Sequence, residues 1–126
     1  MIKNPFWDNL LLINRSNAIH HQWAELEKSG CIDNFRIVCR EKDGFREGWV
    51  FADSDAYKWL DAACRIYPHT HDEILMQKID ELIGLIRNTQ MTDGYLNTFN
   101  QFHFPGVRWV NLQIEHEMYC LGHLFE

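Results

Sequence analysis

The fold is decided by the segment Thr70-His-Asp-Glu-Ile-Leu-Met-Gln-Lys-Ile-Asp-Glu-Leu-Ile-Gly-Leu-Ile-Arg-Asn-Thr89. Its apolar residues recur at intervals of three and four, which places them on one face of a helix. The members of this apolar face are Ile74, Leu75, Ile79, Leu82, Ile83 and Ile86. The segment therefore predicts a long amphipathic helix that begins near residues 70–72 and packs this face against the rest of the chain.

Further helices are predicted on both sides of this segment. They cover residues 5 or 9 to 29, residues 53–68, and residues 111 onward. Gly30 is placed to end the first of them, because glycine readily adopts the left-handed conformation found after helices. Pro68 is predicted to end the second, because proline lacks the backbone donor that a continuing helix needs.

The segments between these helices are predicted to be irregular. Residues 31–52 and 95–106 lack helical periodicity, and Asp93-Gly94 marks a turn. Three aromatic residues of the first segment are predicted to pack into the core: Phe45, Trp49 and Phe51. Since no segment alternates convincingly as a strand does, the predicted fold class is all-α.

The composition limits the possible partners. The chain has 126 residues and a net charge of -6, which argues against a nucleic-acid backbone as partner. The N-terminal residues lack the apolar region of a signal peptide, and no apolar run approaches membrane-spanning length. The protein is therefore predicted to be cytoplasmic, with neither a nucleic acid nor a membrane as partner, and its cysteines are predicted to be free thiols.

Aromatic residues are abundant, with five Trp and eight Phe among the 126 residues. Aromatic side chains contribute strongly to core burial, so a packed core is the first explanation. The alternative is a carbohydrate groove, because the C–H faces of sugars pack on aromatic rings. The sequence leaves both explanations open.

Three residues near the C-terminal end have helical spacing. His116, Cys120 and His123 recur at i, i+4 and i+7, so they are predicted to share one helical face. This face could bind zinc if a fourth ligand came from elsewhere. The alternative is a buried cysteine beside two histidines that form ordinary hydrogen bonds, or a single histidine that faces a polar ligand.

Asp53 and Asp55 form a second candidate group. Two neighbouring carboxylates could serve acid–base chemistry. The alternative is helix capping, in which Asp53 or Ser54 accepts a backbone N–H of the first turn. A capping residue at the mouth of a helical barrel can also face a ligand, so the two interpretations are compatible.

Several motifs follow one another in a recognisable order. They are Asn4-Pro-Phe-Trp7, Gly30-Cys-Ile-Asp-Asn-Phe35, Asp53-Ser-Asp-Ala-Tyr-Lys-Trp-Leu-Asp-Ala-Ala63, Gln90-Met-Thr-Asp-Gly-Tyr-Leu-Asn-Thr98, Arg108-Trp-Val-Asn-Leu112 and His116-Glu-Met-Tyr-Cys-Leu-Gly-His123. Together they resemble the catalytic domain of glycoside hydrolase family 127, the β-L-arabinofuranosidases. The last is similar to the family's HELYCAGH motif and departs from it at Met118 and Leu121.

The resemblance implies a fold and a reaction. The fold is an (α/α)6 toroid, of which residues 1–126 would form the first part, an incomplete set of antiparallel helix hairpins. The reaction is hydrolysis of β-L-arabinofuranosides with retention, by a zinc-bound cysteine nucleophile and a glutamate acid/base. These residues and the zinc ligands are expected downstream of the last motif. The chain alone is therefore expected to be inactive, with no catalytic residue, metal ligand or cofactor of its own.

The residues that the resemblance assigns to this chain are on the substrate side. His116 is expected to line the sugar pocket and to form a hydrogen bond with an L-arabinofuranoside-type substrate. The further candidates, at the rim of the pocket, are Asp53, Asp55, Tyr57, Tyr95 and Asn97.

The alternative function is a small helical module that binds a partner without catalysis. A partial toroid would leave apolar helix faces uncovered, and large exposed apolar patches drive association. The chain is therefore expected to form a homo-oligomer through its uncovered helix faces.

Overall fold

A computed structural model describes residues 4–126 as helices joined by loops, the longest of which connects α3 to α4. The helices are α1 (Pro5–Ile13), α2 (Ile19–Lys28), α3 (Cys31–Val38), α4 (Asp53–Thr70), α5 (Glu73–Thr89), α6 (Thr98–His103), α7 (Leu112–Glu115) and α8 (Glu117–Phe125), and a π-helical segment covers Asn14–Ala18. Residues 4–126 contain no β-strand, which confirms the all-α prediction. Over the same residues, no helix combines the length and the apolar character needed to cross a bilayer.

The amphipathic segment forms α5, as its pattern predicted. Asp72 caps the helix, and its Oδ1 accepts the N–H groups of Ile74 at 2.9 Å and Leu75 at 3.1 Å. Leu75 and Leu82 are fully buried, whereas Ile74 and Ile83 are 61% and 47% exposed. The face that packs against the core is thus narrower than the apolar face that the sequence predicted.

The predicted first helix contains a π-helical turn. The N–H of Ile19 donates to the carbonyl of Asn14, five residues earlier, instead of four. The wider turn changes the helical phase of the residues before it. Ile19 is buried at the start of α2, whereas Leu10 and Ile13 are exposed on α1, in which no residue is buried.

Two predicted boundaries differ from the observed ones. Gly30, with φ 78°, ends α2 as predicted, but α3 begins directly after it, so the prediction of an irregular segment is wrong for residues 31–38. Pro68 lies inside the last turn of α4 and does not end it. His71, with φ 50°, ends α4 instead. A proline so close to the end removes only one helical hydrogen bond, which the last turn tolerates.

The core lies where α2, α3, α4 and α5 meet. The rings of Trp23 and Trp59 are in contact with centroids 4.5 Å apart, and Trp59 Nε1 donates to the carbonyl of Ile19 at 2.9 Å. Phe35 of α3 packs edge-on against Tyr57 of α4. These contacts fix the N-terminal half of α4, which carries one of the sequence motifs.

The loop between α3 and α4 does not place its aromatic residues as predicted. Phe45 and Trp49 are 66% and 75% exposed, so their predicted burial is wrong, whereas Phe51 is half-buried against the core. Arg46 takes the interior position instead and is only 2% exposed. Its Nη1 donates to the carbonyls of Gly48 at 3.0 Å and Trp49 at 2.8 Å, which holds the backbone inside and leaves the Trp49 ring outside.

Candidate functional site

His116 lies at the break between α7 and α8. Its backbone is left-handed, with φ 54° and ψ 26°, which is uncommon for a residue with a Cβ. The single C-terminal helix that the sequence predicted is therefore interrupted at this position. Cys120 and His123 belong to α8, whereas His116 precedes it. Such backbone conformations persist where the surroundings impose them, and they cluster at functional sites.

The conformation at His116 is held by the next residue, Glu117. This side chain is 1% exposed, and both of its carboxylate oxygens are used. Oε1 accepts the hydroxyl of Tyr95 at 2.5 Å, and Oε2 accepts the backbone N–H of Trp109 at 2.7 Å. Glu117 thus ties the start of α8 to two other segments and fixes the backbone beside His116.

An aromatic row passes through His116. The row consists of Trp49, Phe51, His116 and Tyr119. Trp49 and Phe51 are parallel, with an interplanar angle of 1° and centroids 6.2 Å apart. The His116 ring meets Phe51 and Tyr119 edge-on at centroid distances of 5.5 and 5.7 Å. None of the hydrogen bonds found within residues 4–126 involves this imidazole, so its nitrogens are available to a ligand.

Asp55 reaches the aromatic row through Lys58. The Nζ of Lys58 donates to the hydroxyl of Tyr119 at 2.8 Å and lies 3.5 Å from Oδ1 of Asp55. The structure thereby brings two of the predicted site residues, Asp55 and His116, to one surface. Contact of either residue with a sugar stays a prediction.

Asp53 is buried and is not part of this exposed surface. It is 1% exposed, and its carboxylate accepts the Thr98 hydroxyl at 2.5 Å and the Thr98 N–H at 2.6 Å. Oδ1 also lies 3.5 Å from Nη2 of Arg46. Burial raises the pKa of Asp53, although Arg46 and the Thr98 donors act in the opposite direction. The capping interpretation is wrong, because Ala52 occupies the N-cap of α4 and neither Asp53 nor Ser54 caps the helix.

Tyr57, Tyr95 and Asn97 are also inside the protein. Tyr57 is 3% exposed, and its hydroxyl has no hydrogen-bond partner within the described residues. Tyr95 is 6% exposed and holds Glu117. Asn97 is fully buried and caps α6 through the N–H of Asn100 at 2.9 Å. Their local roles are structural, and their contact with substrate stays a prediction.

Two residues that shape the site were not singled out from the sequence. Arg46 lies in a stretch flanked by glycines, which is typical of a solvated loop, so no local signal indicated its burial. Glu117 did carry a signal, because it is an acidic residue directly after the motif histidine. Its position in the early turns of the helix predicted from residue 111 offered a simpler explanation, namely interaction with the helix dipole.

The described residues do not fit a zinc site. Within residues 4–126, no group of three or more His, Cys, Asp and Glu side chains could hold a metal ion. Burial raises the pKa of both Cys31 and Cys120 to about 12, so both stay neutral thiols near pH 7. His123 Nδ1 lies 3.1 Å from the carboxylate of Glu126. Cys120 is 1% exposed, as the alternative of a buried cysteine predicts. Of its two histidines, however, His123 pairs with Glu126, and His116 forms no side-chain hydrogen bond within residues 4–126.

Comparisons with known proteins all identify the same family. Residues 1–126 match the family described as β-L-arabinofuranosidase, GH127 catalytic domain. The non-reducing end β-L-arabinofuranosidase of Bifidobacterium longum subsp. longum is 31% identical over 149 aligned residues, which cover 99% of this chain and 22% of that protein.

Solved structures agree with this match. The crystal structure of a GH127 β-L-arabinofuranosidase from Geobacillus stearothermophilus T6 has a TM-score of 0.92 at 39% identity, over 98% of this chain and 20% of that one. A GH127 β-arabinofuranosidase has a TM-score of 0.85 at 29% identity, over 98% of this chain and 21% of that one. The chain thus spans about a fifth of the length of these relatives.

Proposed function

The chain belongs to the GH127 β-L-arabinofuranosidase family, and we propose that it supplies part of the sugar-binding wall of a β-L-arabinofuranoside hydrolase. The observation that carries this proposal is the His116 ring. It is half-buried beside Phe51 and Tyr119, while its nitrogens stay outside the hydrogen bonds of the described residues. An imidazole with one donor and one acceptor in such a position can bind a sugar hydroxyl.

The surroundings of His116 support this role because they hold the ring in place before a sugar arrives. Glu117 fixes the backbone on one side, and Phe51 and Tyr119 limit the rotation of the ring on the other. A binding group that is already oriented loses little conformational entropy on binding. Lys58 lies beside Tyr119 and offers further donors to a polar ligand.

We assign cleavage of the glycosidic bond to residues outside the described ones. A cysteine nucleophile must be a thiolate, but burial raises the pKa of all four thiols: Cys31, Cys39, Cys64 and Cys120. The Glu117 carboxylate is fully engaged by Tyr95 and Trp109. Retention of the anomeric configuration and the participation of zinc remain implications of the family resemblance. Residues 4–126 are proposed to bind the sugar.

The first test measures the binding of methyl β-L-arabinofuranoside to the 126-residue chain by NMR titration. His116→Ala is expected to weaken binding at least about tenfold, because hydrogen bonds to a bound hydroxyl are lost. His21→Ala, which removes an exposed histidine of α2, is expected to have no effect. Unchanged binding by His116→Ala would contradict the proposal. Hydrolysis of the glycoside by the wild-type chain would contradict the assignment of cleavage to other residues.

A second candidate function, an oligomeric helical module, is favoured by the surface of α1. No residue of α1 is buried, and its exposed apolar side chains are Phe6, Trp7, Leu10, Leu11, Leu12 and Ile13. Beside α1 lies an open cleft of about 590 Å³ toward α4. We propose that the 126-residue chain forms a homo-oligomer through this surface. The location of the protein in the cytoplasm remains a prediction from the sequence. The exclusion of nucleic acids and membranes as partners is likewise a prediction.

Light scattering measured over a range of protein concentrations tests the oligomer. We expect a mass of at least twice the monomer for the wild-type chain, and a shift toward the monomer for Leu11→Lys, which places a charge in the apolar surface. Ile74→Lys is the control, because Ile74 is 61% exposed on α5 and lies outside the α1 surface. A wild-type monomer at every concentration would exclude this function for the isolated chain.

A further inference from the structure

We infer that a small cavity between α6 and the loop that follows it binds ordered water, which bridges the side-chain oxygen of Asn100 to the guanidinium of Arg108. The cavity has a volume of about 70 Å³, and residues 105–108 of the loop form part of its lining together with Asn100 of α6. This site goes beyond the proposed function, because it does not depend on whether the chain binds a sugar.

The first argument is a buried acceptor without a partner. Asn100 is 1% exposed and lines the cavity. Its Oδ1 accepts no hydrogen bond from any group of residues 4–126. Buried polar atoms are normally paired, either with protein or with ordered water, because an unpaired one loses its hydration without compensation. A small hydrogen-bond donor in the cavity would restore the missing bond.

The second argument fixes which atom of the Asn100 amide needs the partner. Nδ2 donates to Oε2 of Glu115 at 2.9 Å and lies 3.5 Å from the carbonyl oxygen of Val107. Exchanging the amide oxygen and nitrogen would place Oδ1 against a carboxylate and a carbonyl, which are both acceptors. The unpaired atom is therefore the oxygen, and the ligand must donate a hydrogen bond to it.

The third argument is a second polar group in the lining, the guanidinium of Arg108. Nη1 donates to Asp93 at 2.5 Å, and Nη2 donates to Sδ of Met91 at 3.1 Å. The guanidinium carbon lies 4.2 Å from the ring centroid of Tyr95. These contacts hold the group in place and leave some of its N–H donors unused. A ligand in the cavity thus meets a fixed donor as well as the Asn100 acceptor.

These two groups select the chemistry of the ligand. The positive charge of Arg108 disfavours a cation, and the acceptor oxygen of Asn100 disfavours an anion. An apolar molecule would leave both groups unpaired. Water both donates and accepts, and since its share of liquid volume is about 30 Å³, the cavity has room for about two molecules. One of them can donate to Asn100 and accept from Arg108, which joins α6 to the loop.

Water-to-protein cross-relaxation, measured by NMR on the isotope-labelled 126-residue chain, tests this site. The sign of the nuclear Overhauser effect from water depends on how long the water stays bound. We expect the Asn100 side-chain amide to show the sign of water that tumbles with the protein. Asn88 is the matched control, because its amide also donates to a carboxylate, that of Glu41 at 3.0 Å, but the residue is exposed. Its amide should show the opposite sign, that of mobile surface water.

A pair of variants tests the role of the guanidinium. Arg108→Met keeps an apolar stem and removes the donors, so the signal of long-lived water at Asn100 should be lost. Asp93→Asn is the matched control, because it weakens the ion pair of Arg108 while both groups in the cavity lining stay unchanged. We expect the signal to persist in this variant.

Several outcomes would overturn the inference. One is the absence of long-lived water at Asn100 in the folded wild-type chain, and another is a signal that survives Arg108→Met. Loss of the signal in Asp93→Asn as well would show that the order of the loop, and not the two groups of the lining, retains the water. Saturable shifts confined to the cavity lining on titration with ammonium chloride would identify a cation site instead. None of these results bears on the binding of methyl β-L-arabinofuranoside, so the proposed function is tested separately.

Discussion

Asp53→Asn is expected to lower the free energy of unfolding of the 126-residue chain by about 3–5 kcal/mol, the usual cost of breaking a buried ion pair on one side. The side chains of Asp53 and Arg46 are both fully buried, with Oδ1 3.5 Å from Nη2. The substitution leaves the guanidinium in the interior without its counter-charge. It also replaces an acceptor of the Thr98 hydroxyl and N–H.

Urea denaturation at pH 7, followed by circular dichroism, measures this effect. The matched control is Asp55→Asn, two residues along the chain. The Asp55 carboxylate is half exposed, and its Oδ1 lies 3.5 Å from Nζ of the exposed Lys58. Surface pairs of this kind contribute roughly 0–1 kcal/mol. Similar decreases in the free energy of unfolding for the two variants would contradict a buried Asp53–Arg46 pair. A decrease below about 1 kcal/mol for Asp53→Asn would contradict it as well.

Glu117→Ala is expected to cost about 2–6 kcal/mol of stability and to abolish sugar binding. The loss of stability follows because the Tyr95 hydroxyl and the Trp109 N–H lose their buried acceptor, at roughly 1–3 kcal/mol each. The loss of binding follows because the left-handed backbone of His116 is no longer held in place. Glu117 does not touch the sugar in this proposal and acts by positioning His116.

Two measurements separate the positioning role from a purely structural one. Urea denaturation reports stability, and titration with methyl β-L-arabinofuranoside, at a temperature where every variant is folded, reports binding. Glu117→Gln keeps one acceptor oxygen and is expected to recover part of the affinity. Glu25→Ala, at an exposed pair with Lys28, is the control and should change neither quantity. Full affinity in a folded but destabilised Glu117→Ala variant would limit Glu117 to a structural role.

Local features of the fold could be predicted from the sequence. The apolar spacing of α5 indicated a helix, and Asp93-Gly94 forms the predicted turn, in which Gly94 has φ 89°. The end of the helix at Gly30 could also be predicted, because it depends only on the conformational freedom of this glycine. The short α6 was missed, because its six residues carry too little periodicity. Its N-terminus is held by Asp53, 45 residues earlier in the chain.

The candidate site was predicted in part, for a related reason. His116 could be identified as a candidate from the motif around it, without any structural information. The break in the helix at His116 was not visible, because the tie that imposes it joins Glu117 to Tyr95, 22 residues away. The exposure of Trp49 was missed as well, since its predicted place in the core is taken by the aliphatic stem and guanidinium of Arg46.

The sequence by itself determined the all-α class, the main amphipathic helix, and the motifs that assign the chain to its family. These properties depend on residues that are neighbours along the chain. Only the tertiary structure decided which polar groups are buried and which aromatic rings face solvent. A buried charge such as Arg46 is stable only beside its partners. Asp53 is near Arg46 in sequence, but Thr98, 52 residues away, is brought to it by the packing of α6.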